Sequence, residues 1–200
     1  MTTLEVLERI QSLKMPFIQT RDLAGVLKIS VSSTGKYLDA LSKKSFLIKL
    51  TRGKWILNDK NIDPLAIAEF ITSPLESYIS LQTALFYHGM IEQVPSRIYA
   101  VTIARTKLLT TRLGTFSLHH CNPDFFLGYE YLKPMLKVAT PEKALVDFFY
   151  FAPTKSRQFT KLPELDLPAG FSWKKVDLFC KKIPSPRTQS LVRQKLSSFR

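Results

Sequence analysis

No apolar run in this 200-residue chain approaches the roughly 20 residues that a membrane-spanning helix needs, so no membrane partner is expected. Cysteine is nearly absent. Cys121 and Cys180 have no metal-ligand spacing and make no disulfide framework, as expected of a protein in a reducing cytoplasm. A signal peptide is also missing from the pattern, because MTTLEVLERIQSLKM sets charges inside its apolar repeat and reads as an amphipathic helix. Nothing resembles a phosphate-binding glycine loop, a nucleophile elbow or a Cys/His pair of known spacing, so neither an enzyme nor a cofactor is expected. Negative charge is in short supply: 16 Asp and Glu stand against 29 Lys and Arg, a formal net charge of +13. The imbalance sits at the ends. Residues 1–60 carry 11 cations against 5 anions, residues 61–150 carry 7 against 8, and residues 151–200 carry 11 against 3. Two basic ends around a neutral middle suggest a polyanion contacted by both.

What is present centres on Thr20 to Leu57, TRDLAGVLKISVSSTGKYLDALSKKSFLIKLTRGKWIL. Thr20 reads as a helix cap with Asp22 favourable to the helix N-terminus, and Leu23, Ala24 and Leu27 share one face. Lys28-Ile29-Ser30 breaks the pattern, and Ser30 can cap a second helix with Val31, Thr34, Leu38 and Leu41 as its inward stripe. Its other side carries Ser32, Ser33 and Lys36, followed by Tyr37, residue types able to reach base edges and phosphates. Gly35 would let another backbone come close. Phe46–Leu50 and Lys54–Leu57 read as strands joined by a turn with Arg52 and Lys54 at its tip, suited to phosphates or a minor groove. With a preceding helix over Thr3 to Lys14, marked by Leu4, Leu7, Ile10 and Leu13, this order predicts a winged helix-turn-helix over residues 1–58. A plain helix-strand domain with a solvated basic loop is the alternative.

Asn58-Asp59-Lys60-Asn61 is a polar break, and residues 59–151 read as a second, α+β domain. Asp63-Pro64 opens a short helix, and Ser80 can cap another over Leu81 to His88. Arg97–Ile103, Gly114–His120 and Leu136–Ala139 read as strands. Thr140-Pro141-Glu142 starts a helix with Leu145, Phe148 and Phe149 as core. Beyond Phe151, Pro153, Pro163 and Pro168 mark a loop-rich stretch. Two basic helices then follow, Trp173 to Lys182 and Arg187 to Ser198, so residues 152–200 form a basic helical tail. Its Lys174, Lys175, Arg187, Arg193 and Lys195 are candidate phosphate contacts.

His119-His120-Cys121 is the one metal-like cluster, but neighbouring residues of a strand point to alternating faces. The alternation sends His120 to the core beside Phe116 and Leu118 and leaves His119 exposed. Asp124, Glu130, Glu142 and Asp147 are the acidic residues near these strands, and a nuclease would need such carboxylates and a Lys gathered around a metal. Glu142 and Lys143 are instead explained by the dipole of a first helical turn and by solvation. Phe125-Phe126-Leu127-Gly128-Tyr129 reads as core aromatics with a turn or close approach at Gly128.

LQTALFYHGMIEQVPSRIYAVT (81–102), LGTFSLHHCNPDFFLGYE (113–130) and KVATPEKALVDFFYF (137–151), together with the TRGKWIL hairpin (51–57), resemble the AbiE-type abortive-infection antitoxins of bacterial type IV toxin-antitoxin systems. These are transcriptional regulators of a viral defence system. The likeness spans roughly residues 5–151. It implies a winged helix that binds repeats in the operon's promoter and represses it, with Ser32, Ser33, Lys36, Arg52 and Lys54 as DNA contacts. It also implies a C-terminal domain acting against a nucleotidyltransferase-like toxin, with or without direct contact. The rival readings are a winged-helix-targeted, metal-dependent nuclease and a toxin-binding module with incidental DNA affinity.

Overall fold

The structure, a computed structural model, describes residues 1–59, 62–152 and 164–200. It is a mixed α+β chain in two compact units, one over Met1–Pro64 and one over Leu65–Thr110 and Gly114–Arg200. The helices expected as a separate tail therefore belong to the second unit. Residues 60 and 61 of the expected polar break, and the loop marked by Pro153 and Pro163, lie outside the described residues.

The first unit runs α1 (Thr3–Ser12), β1 (Phe17–Gln19), α2 (Thr20–Leu27), α3 (Val31–Lys43), β2 (Leu47–Thr51) and β3 (Lys54–Leu57). Thr2 and Glu5 cap α1 reciprocally, the Thr2 hydroxyl accepting from the Glu5 amide while the Glu5 carboxylate accepts from the Thr2 amide. The buried face of α1 is Val6, Leu7 and Ile10, whereas Leu4 is 64% exposed. A strict three-residue spacing drifts around a helix of 3.6 residues per turn, which turns Leu4 about 120° away from Ile10. Val6, Ile10, Ile18, Leu23, Leu38, Leu41, Leu47 and Trp55 make one core. Val31 begins α3 beyond the packed part of its stripe and is exposed. The strands form an antiparallel sheet in the order β1-β3-β2. Strand β1 was invisible to pattern because three residues show no alternation.

Thr20 does not cap α2. Gln19 occupies that place without a side-chain bond, and the buried Thr20 hydroxyl accepts from the Trp55 indole N–H at 2.9 Å. A buried indole needs an acceptor, and this one ties the start of α2 to β3. The Thr20 amide also donates to the Gly53 carbonyl at 2.9 Å, fixing the β2–β3 tip from behind.

The second unit holds α4 (Ile67–Thr72), β4 (Ser77–Ile79), α5 (Leu81–Tyr87), β5 (Ile98–Thr102), β6 (Lys107–Thr111), β7 (Gly114–His120), β8 (Tyr129–Lys133), β9 (Leu136–Ala139), α6 (Pro141–Phe151), α7 (Trp173–Lys181) and α8 (Pro186–Ser197). Its sheet has the order β6-β7-β5-β4-β9-β8 and is mixed: β5–β7 and β4–β9 are parallel, β4–β5 and β8–β9 antiparallel. Helix α6 is the hub, packed by α5, α7, α8 and β9, and is buried almost all round. Thr140 caps it as expected, accepting from the Lys143 amide, and Ser185 caps α8 in the same way from Thr188.

Two expectations for this unit are corrected. His119, not His120, is the inward histidine: it packs on the rings of Tyr99 and Phe151 at 6.1 and 5.2 Å, while His120 is exposed at the strand's end. The successive residues Phe116, Ser117 and Leu118 of β7 are all buried, so both faces of the strand are covered there and alternation cannot tell inside from outside. Glu142 and Lys143 are not solvated. They are 2% and 0% exposed, because the whole first turn of α6 is enclosed by its neighbours.

Candidate nucleic-acid interface

The N-terminus of α3 is built by serines. Ser30 accepts from the Ser33 amide at 3.0 Å and donates to the Ser33 hydroxyl at 2.9 Å, while the Thr34 hydroxyl donates back to the Ser30 carbonyl. This closes the first turn and leaves the Ser33 proton free to point outward. Ser32 and Lys36 are exposed and Ser33 is half-buried. Between them Gly35 has nothing within 4 Å of the place a Cβ would occupy, so the helix surface there is low and open. Tyr37 is differently employed: half-buried, it donates its hydroxyl to the Met1 carbonyl at 2.6 Å and ties down the chain's start.

The turn before α3 carries a cation in an uncommon conformation. Lys28 ends α2 at φ 55° and ψ 38°, the left-handed region, where a side chain costs about 1–2 kcal/mol relative to an ordinary helical residue. Sequence reasoning read Lys28 only as part of a break, since nothing in residue type announces a left-handed lysine.

Strands β2 and β3 form a hairpin whose register closes at Thr51 and Lys54, leaving Arg52 and Gly53 as the tip. Gly53 sits at φ 76°, which the turn needs and a side chain would resist. Arg52 is exposed, and its guanidinium has no ion-pair partner among the described residues; Lys54 is half-buried at the base of the tip. Behind them Lys49 pairs with Asp39 of α3 at 3.0 Å and lies 4.6 Å from the centre of the Trp55 ring. That pair fixes β2 against α3 and neutralises the one carboxylate on the exposed middle of the helix.

In the second unit Lys174 and Lys175 begin α7, and Arg187, Arg193 and Lys195 lie on α8; all five are exposed. Lys175 stands 3.7 Å from the buried Glu142 carboxylate, which also accepts from the Ser172 amide at 3.1 Å. It is therefore partly engaged in holding α7 on α6. Lys174, Arg187 and Lys195 project from the surface, whereas the Arg193 side chain is hydrogen-bonded to Cys180.

The acidic residues that a nuclease would need are not gathered. Asp124 is exposed in a short turn, its amide donating to the Asn122 side chain. Asp147 is enclosed in a network of its own: one oxygen pairs with Lys143, and the other accepts from Ser80 at 2.7 Å and Tyr78 at 3.0 Å. These four residues are at most 1% exposed, so a substrate has no route to them. Burial raises the Asp147 carboxyl and lowers the Lys143 ammonium from their ordinary values, against the pull of the ion pair and the two hydroxyls. Burial likewise pushes the Cys121 thiol up to about 12 and holds His119 down at about 4. The Ser80 hydroxyl, expected to cap α5, is spent on Asp147 instead. Among the described residues no group of three or more His, Cys, Asp or Glu is placed to hold a metal ion, and no helix is long and apolar enough to cross a membrane. Comparison with family models and with curated proteins finds no match for this chain.

Proposed function

We propose that the chain is a DNA-binding repressor whose first unit acts as a winged helix-turn-helix. In this reading α3 enters the major groove. Ser32, Ser33 and Lys36 meet base edges and phosphates there, and the Arg52–Gly53 tip of the β2–β3 hairpin lies along the backbone or in the minor groove. The observation that carries the reading is the pairing of two features in one unit. One is a helix whose outward N-terminal side is low, polar and cationic; the other is a hairpin whose arginine, without an ion-pair partner among the described residues, stands at the tip of a glycine turn. The exposed Lys174, Arg187, Arg193 and Lys195 of the second unit add phosphate contacts. The antitoxin role, directed against a nucleotidyltransferase-like toxin of the same operon, rests on the sequence resemblance alone, and the cytoplasmic setting on the two free cysteines.

The roles of the two sets of residues are separable. Arg52→Ala with Lys54→Ala removes phosphate contacts, so affinity falls on every DNA sequence and the slope of log affinity against log salt flattens by about 0.9 per lost contact. Ser32→Ala or Lys36→Ala changes the preference among sequences instead. Unchanged affinity and unchanged preference in both sets would overturn the assignment. A pull-down with the product of the adjacent gene tests direct toxin contact separately.

A further inference from the structure

A second feature of the molecule goes beyond this reading and shares only Arg193 with it. Helices α7 and α8 flank a cleft of about 500 Å³, within the usual size of small-molecule sites. Its apolar wall includes Cys180 and Leu196, at 0% and 2% exposure, and three cationic side chains surround it: Lys181, Arg193 and Arg200. Among the described residues Asp177 is the only carboxylate side chain in the lining, and it is bound to Arg200 at 2.5 Å. Lys181 and Arg193 have no carboxylate partner among the described residues. Three positive side chains against a single carboxylate side chain leave the cleft with an excess of two positive charges. A doubly charged anion relieves that excess, and the planar fork of Arg193 suits two oxygens of one group.

We propose that this cleft binds a phosphoryl group, carried either by a free nucleotide or by a nucleic-acid strand. The Arg193 fork and the Lys181 ammonium hold the phosphate oxygens. Arg200 turns towards the ligand at the expense of Asp177, so Asp177 acts as a competitor for the site.

The test uses the full-length protein and three probes: inorganic phosphate, a nucleoside 5′-monophosphate and a short single-stranded oligonucleotide. Binding is followed by calorimetry and by the arginine Nε–Hε resonances. Lys181→Ala and Arg193→Ala each weaken the bound probe by about tenfold or more, the usual scale for a charge-assisted bond. Asp177→Asn strengthens it, an outcome that a purely structural carboxylate would not give. Lys107→Ala, at an exposed cation of β6 outside the cleft lining, leaves it unchanged; loss of promoter binding by Arg52→Ala is read independently. Saturation by phosphate and nucleotide identifies a free ligand, whereas binding of the oligonucleotide alone identifies a strand. Circular dichroism checks folding, with Lys181→Gln and Arg193→Gln as replacements for any variant that loses helix content. Failure of all three probes to bind, or binding indifferent to Lys181 and Arg193, or weakened by Asp177→Asn, would overturn the proposal.

Discussion

Replacing Lys143 by methionine probes the centre of the second unit. Both Lys143 and Asp147 are fully buried, one turn apart on α6, and Asp147 keeps its two hydroxyl donors, Ser80 and Tyr78, when the ammonium is removed. Methionine nearly preserves the volume, so the cost is electrostatic: a carboxylate left in an apolar interior with two neutral donors. Breaking one side of a buried pair costs about 3–5 kcal/mol, whereas replacing both partners by apolar groups is often close to neutral. Lys143→Met alone is therefore expected to lose about 3–5 kcal/mol, and Lys143→Met with Asp147→Leu to lose less than either single change. The deficit also depends on pH in a definite direction. Without Lys143 the folded Asp147 pKa lies above its unfolded value, so the folded state holds a proton that the unfolded state has released. Stability of the variant then falls as pH rises from the unfolded carboxylate range, and the deficit is smaller at pH 5 than at pH 8. Urea unfolding read by Trp173 fluorescence, in a Trp55→Phe background so that only the second unit reports, measures all three quantities. A loss below about 1 kcal/mol that is flat in pH would refute the account of α6 as a hub closed around a charge pair.

Three further predictions follow from particular positions. Gly128→Ala is expected to destabilise the second unit by about 2–4 kcal/mol in urea unfolding. Gly128 sits at φ 79°, and a Cβ there would stand 2.8 Å from the Phe179 ring and 3.0 Å from Lys143 Cγ; a loss under 1 kcal/mol would contradict that packing. His119 is held near 4 by burial against an ordinary 6.5, so stability is fully present above pH 6.5 and is lost as pH falls towards 4. The loss is up to about 3 kcal/mol, and His119→Gln should flatten the corresponding acid limb of the unfolding curve. Lys28→Gly relieves the left-handed conformation and should raise the stability of the first unit by up to about 1 kcal/mol while weakening DNA binding. If it stabilises with no effect on DNA, the lysine is only a tolerated C-cap.

The helices of the first unit were legible through their apolar stripes, and α3 through its cap as well, as Ser30 and the stripe of Thr34, Leu38 and Leu41 illustrate. The hairpin was legible through Gly53 between two apolar runs. The cap at Thr140 gave the start of α6 for the same reason. Strands β1, β4, β6 and β8 escaped notice: they are three to five residues long, and β6 and β8 are edges with mostly exposed side chains. Periodicity also fails where an element is covered on every side. That is why His119 and His120 exchanged places, and why Glu142 and Lys143 read as solvent-facing although α6 is enclosed by α5, α7, α8 and β9. The Lys143–Asp147–Ser80–Tyr78 network joins residues up to 69 positions apart, and spacing along the chain holds no trace of it. The exposed serines and cations of α3 and the hairpin tip were readable because their chemistry is local. The α7–α8 cleft was not, because Lys181 and Arg193 meet only when two helices pack.

The most direct measurement is a salt titration of the full-length protein on the DNA upstream of its own coding sequence, set against a scrambled sequence of equal length. The account predicts tighter binding to the upstream DNA. It also predicts affinity falling about 10³-fold or more from low to moderately high salt, as several released counterions require, with a shallower slope when Arg52 and Lys54 are replaced by alanine. Equal, weak binding to both DNAs, with a slope indifferent to those two residues, would contradict the claim that the first unit reads DNA.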